Sequence, residues 1–178
     1  DDISAVRIPN GSRGTGAEGI PNSLSRMFSH STLRSIPSTF VIPEGVSVAH
    51  CAFALTPRLT SVYEGFSLPT SCLVAVGLFE GASAIESVPG SLLKNYADSD
   101  PVELNVLFNG CTSLASIRDG FSIPSSATNI ELLFGGCSSL TYLPASLSLK
   151  AFGAKRAQLA FGLDHRSHDP YQFDPKVV

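Results

Sequence analysis

The chain is poor in charge. Of its 178 residues, 15% are Asp, Glu, Lys or Arg, against 43% hydrophobic. That balance excludes a charged disordered tail and supplies enough apolar side chains for one sizeable core. Basic runs are missing too. No stretch of Lys and Arg exceeds two residues, the densest basic spot lies between Lys150 and Arg156, and the formal net charge is -3. Nothing here suits a phosphate backbone, so no nucleic acid is expected as a partner. No run of 18 apolar residues occurs, and no membrane span is expected. The opening DDISAVRIP carries no signal-peptide pattern and reads as a mature or trimmed start, which leaves secretion open.

Metal and catalytic signatures are equally sparse. There are four histidines and four cysteines, Cys51, Cys72, Cys111 and Cys137, with no CxxC pair, so no structural zinc site is expected. Two disulfides are arithmetically possible, but thiols packed as small apolar groups are the preferred reading. GxSxG and HExxH are absent, and no paired acids stand at a recognisable spacing. The glycines of NGSRGTGAEG lack the spacing and the lysine of a phosphate loop, and read as surface loop. Asn10-Gly11-Ser12 is formally a glycosylation sequon. Asp98, Asp100 and Glu103 in KNYADSDPVE could gather oxygens around calcium, but without EF-hand spacing they read as a solvated acidic loop. Asp164, His165, His168 and Asp169 could likewise form a metal cluster, and read as a hydrophilic cap or tail. No cofactor is expected.

What the chain does have is repetition. LFNGCTSLASI begins at Leu107, and LFGGCSSLTYL follows 26 residues later. The phenylalanine of this phrase recurs at Phe28, Phe53, Phe79, Phe108 and Phe134, at intervals of 25, 26, 29 and 26 residues. Other columns keep step. Leu33, Leu59, Ile85, Leu114 and Leu140 follow the marker, then Ile36, Val62, Val88, Ile117 and Leu143, then Phe40, Phe66, Leu92, Phe121 and Leu147. A unit this short cannot bury its apolar face alone, but it can when stacked on a copy of itself. The pattern therefore predicts a solenoid. Its strand cores would be LRSI, LTSV, IESV, LASI and LTYL, paired laterally into a parallel sheet.

Ahead of the marker, Leu104, Leu107 and Phe108, like Ile130, Leu133 and Phe134, stand at i, i+3 and i+4. This spacing predicts a short helix in each coil, or a single 3₁₀ turn in the weaker copies. Cys111 and Cys137 share a column with Ala82, Thr56 and Ser31, where every occupant is small, as a tight inward corner requires. Adjacent coils would bring these two cysteines near one another. The array spans 22–149. Residues 1–21 form a partial coil and loop before it, and 150–178 a cap or tail after it, all within a single domain 1–178. Phe161, 27 residues after Phe134, faintly extends the series.

Ser35, Ser61, Ser87 and Ser116 form another column, broken by Tyr142. A packed or hydrogen-bonded ladder explains it better than a nucleophile. Around it, Arg34, Arg58, Thr60, Tyr63, Glu86, Arg118, Thr141 and Tyr142 vary while the core columns hold. Tyrosine and arginine are favoured at recognition hot spots, which makes these eight the candidate binding face. They could equally be unconstrained surface.

The phrase LFxGCxSLxxI, followed by Phe121 and Ile123-Pro124 before the next LF, resembles the BspA-like leucine-rich repeats of bacterial surface proteins. The likeness covers roughly residues 22 to 147 and is most specific at Phe108 to Phe121 and Phe134 to Leu147. It implies an α/β leucine-rich-repeat solenoid of five to six coils of about 26 residues, each with one short parallel strand and one short helix or 3₁₀ turn. It also implies a non-enzymatic, secreted or cell-surface bacterial protein, similar to adhesins that bind host or microbial extracellular proteins or glycans. A structural spacer or stalk segment of a larger surface protein is the alternative.

Overall fold

The computed structural model describes residues 3–6, 23–149 and 152–162. The chain winds as a stack of coils, and the marker phenylalanines form its spine. Phe28, Phe53, Phe79, Phe108, Phe134 and Phe161 stack face to face, with ring centroids 5.2, 5.5, 5.8, 5.6 and 5.4 Å apart. Stacked strands lie about 4.8 Å apart; the rings advance at slightly more than that pitch. Phe40, Phe66 and Phe121 meet this pillar edge-on or tilted. Offset stacks and edge contacts of this kind are the favoured aromatic geometries. The predicted apolar columns join the pillar in one hydrophobic cluster running from Ile3 to Ala160. The spine is thus a repeat solenoid with open parallel sheets.

Each of the first four full coils contributes two residues to a parallel ladder, and the fifth contributes one, Tyr142. β1 (Ser35–Ile36) pairs with β2 (Ser61–Val62), and β3 (Ser87–Val88) with β4 (Ser116–Ile117). The registers Ser35↔Ser61 and Ser87↔Ser116, continued by the bridge Ser116↔Tyr142, reproduce the serine column. The isoleucine or valine that follows each serine turns inward, as period-two alternation dictates. A second line of parallel bridges, Ser23↔Val48↔Val74↔Glu103↔Asn129, lies five residues ahead of each marker.

The helix expected in each coil is not there. Around each marker the chain instead makes overlapping turns of alternating handedness. The residues two before and two after the phenylalanine have left-handed φ in every full coil: Arg26 and His30, Cys51 and Leu55, Gly77 and Gly81, Val106 and Gly110, Leu132 and Gly136. A right-handed helix cannot pass through such residues. Their reward is hydrogen bonding between coils. Leu24, Arg26, Phe28 and His30 donate their N–H groups to the carbonyls of Val48, His50, Ala52 and Ala54, at 2.7–3.0 Å. The same four bonds recur between each pair of later full coils. The intervening N–H groups close local turns, as from Met27 to Leu24 O and from Leu107 to Leu104 O. The backbone polar groups are thereby satisfied without a helix.

Among the described residues, α1 (Gly153–Ala160) is the one α-helix, and it occupies the end of the stack. Its Leu159 and Ala160 carbonyls, which a helix C-terminus normally leaves orphaned, accept the N–H groups of Leu132 and Phe134 at 2.8 Å. Arg156 fastens it. One guanidinium nitrogen donates to the carbonyls of Ala127 (3.2 Å) and Thr128 (2.9 Å), and the group lies over the Phe152 ring.

Candidate functional site

The serine ladder faces outward, and its β3–β4 half carries a shallow groove of about 790 Å³. Glu86, Ser87, Ala115, Ser116, Ile117, Arg118, Asp119 and Tyr142 line it. Three of the eight candidates, Glu86, Arg118 and Tyr142, meet here. Ser87, Ser116 and Tyr142 pair in register, Arg118 stands two residues after Ser116 and so shares its side, and Glu86 is exposed at the edge of the groove directly before β3.

Arg118 is held along the stack rather than across it. Its Nε and Nη2 each donate to Ser87 Oγ at 3.3 Å, one coil back, and its Nη1 pairs with the carboxylate of Glu64, two coils back. Both partners of that ion pair are more than half exposed, so it contributes on the order of 0.2–1 kcal/mol. Its effect is orientation: it fixes the guanidinium over β3, where the ladder divides between its two strand pairs. Tyr142, 50% exposed, donates its hydroxyl to Asp119 Oδ1 at 3.0 Å. That hydrogen bond, then the carboxylate charge, raises the phenol's pKa above its ordinary value. The ring is left as an anchored, open platform.

The other five candidates lie outside the groove. Arg34, Arg58 and Tyr63 are exposed, and the Tyr63 ring folds over Gly65. Thr60 and Thr141 serve the backbone: their hydroxyls donate to the carbonyls of Arg34 (3.2 Å) and Ala115 (3.4 Å) in the preceding coil. Asp119 and Glu64 belong to the site but were not singled out from sequence. Asp119 could have been noticed in the turn dipeptide Asp119-Gly120 directly after Arg118. Glu64 had no such signal, because its link to Arg118 skips a coil.

The acidic insertion does structural work. Asp98 Oδ1 accepts the Ser125 N–H (3.1 Å), Asp100 Oδ2 accepts the Ala97 N–H (2.8 Å), and the Asp100 carbonyl accepts the Ser126 hydroxyl (2.7 Å). Tyr96 in the same loop donates its hydroxyl to the Cys72 carbonyl at 2.5 Å. The described residues contain no group of three potential metal ligands. The Asp164, His165, His168 and Asp169 cluster, the Asn10 sequon and the glycine-rich loop lie outside the described residues.

All four cysteines are free. Cys111 and Cys137 do occupy one corner column in adjacent coils, and each thiol donates to a carbonyl one coil back, Phe79 O and Phe108 O, at 3.2 Å. Burial raises the Cys111 pKa and the neighbouring Cys137 raises it further, while burial pushes Cys137 up to about 12 and Cys72 up to about 11. Such thiols are inert packing groups.

Compared with known proteins, the chain matches no family model, no curated protein and no solved structure.

Proposed function

We propose that the chain is a non-enzymatic binding or adhesion module of a bacterial cell-surface or secreted protein. Its groove on the serine ladder would engage a host or microbial extracellular protein or glycan. The observation that carries this reading is the convergence of Glu86, Arg118 and Tyr142, three variable positions from three coils, in one groove where Arg118 and Tyr142 are already oriented by hydrogen bonds. Side chains fixed before binding lose little entropy on binding, which is what a recognition site needs. The leucine-rich-repeat assignment, and the BspA-like subfamily within it, belong to the same reading. They rest on the LFxGCxSL phrase, the short parallel strands and the phenylalanine pillar taken together.

A spacer or stalk segment is the second reading. It draws support from how many surface polar groups, Thr60, Asp98, Ser126 and Thr141 among them, are spent on bonds between coils. The double variant Arg118→Ala/Tyr142→Ala separates the two. Wild type and variant would be assayed side by side against immobilised extracellular-matrix proteins and bacterial surface glycans. A partner held by wild type and lost by the folded variant is expected. Identical behaviour of the two proteins against every surface would favour the spacer.

A further inference from the structure

The geometry points to a neutral, polyhydroxylated saccharide as the ligand of the Glu86–Arg118–Tyr142 groove, an inference that rests on the binding role proposed above. Three observations combine. First, the groove offers almost no apolar depth. Ile117 is fully buried beneath it, and the exposed carbon surface is the Ala115 methyl and the flat Tyr142 ring. A protein hot spot wants a desolvated pocket for an anchor side chain, which this floor does not provide. A sugar's C–H face needs only a ring to lie on.

Second, the remaining lining is a dense alternation of hydroxyl-reading groups. The Glu86 and Asp119 carboxylates accept, Arg118 keeps N–H donors to spare after serving Glu64 and Ser87, and Ser116 can do either. Adjacent sugar hydroxyls, each both donor and acceptor, match such a set, and hydrogen bonds to charged partners are the strong ones. At about 790 Å³, the groove falls within the ordinary size range of small-ligand sites.

Third, the charge selects among sugars. Glu64, Glu86 and Asp119 outnumber Arg118, and Arg118 is already neutralised by Glu64. A sulfated or carboxylated glycan would meet repulsion here, while a neutral one would not.

The test is isothermal titration of the full chain with maltohexaose, cellohexaose, xylohexaose and chitohexaose, with dextran sulfate and a lysine-rich peptide as competitors. At least one neutral oligosaccharide should bind. Tyr142→Ala and Asp119→Asn should each weaken it tenfold or more. Tyr142→Phe keeps the ring and should lose less than Tyr142→Ala. Met27→Ala, an exposed side chain outside the groove, should change nothing. Thermal melts would establish that each variant is folded. Binding of none of the four sugars overturns the inference, as does binding that survives Tyr142→Ala, or tighter binding of dextran sulfate or the peptide. If the sugars fail but a protein partner is still lost on Arg118→Ala/Tyr142→Ala, the saccharide is wrong and the binding role stands.

Discussion

Replacing Phe79 with alanine should be among the most damaging single truncations in the protein. Its ring is fully buried, stacked between Phe53 at 5.5 Å and Phe108 at 5.8 Å, with Phe66 edge-on at 6.4 Å. Buried Phe→Ala changes cost about 3–5 kcal/mol through lost transfer energy and the cavity left behind. Three aromatic contacts, each worth about 0.5–1.5 kcal/mol beyond area, put Phe79 at the upper end, near 5 kcal/mol. For a chain of this size that lowers the melting temperature by about 10–20 °C. Phe28 sits at the edge of the described stack, is only half-buried and has one stacked partner, Phe53. Its truncation should cost about half as much. Phe79→Leu, which keeps most of the volume, should cost about 1–2 kcal/mol. Coils couple chiefly to their neighbours, so the Phe79→Ala variant should also broaden its urea transition, as the halves on either side begin to melt separately. Urea denaturation followed by circular dichroism reads all three variants. Equal costs for Phe79→Ala and Phe28→Ala would refute the continuous pillar.

Glycines supply a second test. A Cβ at Gly90 would stand 1.9 Å from the Asp119 carbonyl oxygen, a backbone atom, so Gly90→Ala should destabilise by about 3 kcal/mol or more and disturb the groove; at Gly65 the obstacle is the movable Tyr63 ring, and Gly65→Ala should cost under about 1 kcal/mol in the same melts. At the left-handed position after the marker, His30→Gly should stabilise by about 0.5–1 kcal/mol, whereas Gly110→Ala should destabilise by about 1–2 kcal/mol; the opposite signs are the discriminating result. Stability should also fall in alkali. The raised pKa values of Cys72, Cys111 and Cys137 mean that the unfolded chain loses its thiol protons first. Their contribution is therefore complete below the ordinary thiol value of 9.0 and shrinks as pH climbs from there toward 11–12, by up to about 1.4 kcal/mol per pH unit for each thiol. Denaturation midpoints at pH 8, 9 and 10 would measure this. At pH 8, Ellman's reagent should modify the less buried Cys51 well before the other three, and equal rates at all four would contradict the packing described.

Periodicity made the spine legible. The spacing of Phe28, Phe53, Phe79, Phe108 and Phe134 placed the pillar, and the serine column anticipated the strand register residue by residue. The helices were misread for a physical reason. Leu104, Leu107 and Phe108 all turn inward in a helix, but they also do so in turns of alternating hand. The distinguishing mark is glycine at Gly77, Gly81, Gly110 and Gly136, which supplies positive φ cheaply. Occupancy by Leu132 and β-branched Val106 at equivalent positions hides the need for positive φ. In the groove, Glu86, Arg118 and Tyr142 were accessible from column variation. The long reach of Arg118 to Glu64 was not, since side-chain conformation leaves no trace in spacing.

The turn row has a direction. Between full coils its N–H groups address the following coil and its carbonyls the preceding one, so the peptide units are oriented alike along the stack. Two such molecules meeting donor end to donor end could not continue the pattern, which rules out a two-fold pairing through this row. Only a head-to-tail contact would fit, and repeated head-to-tail contacts propagate into open filaments. By spending its own terminal carbonyls on Leu132 and Phe134, α1 already occupies two of the N–H groups that such a contact would have to use.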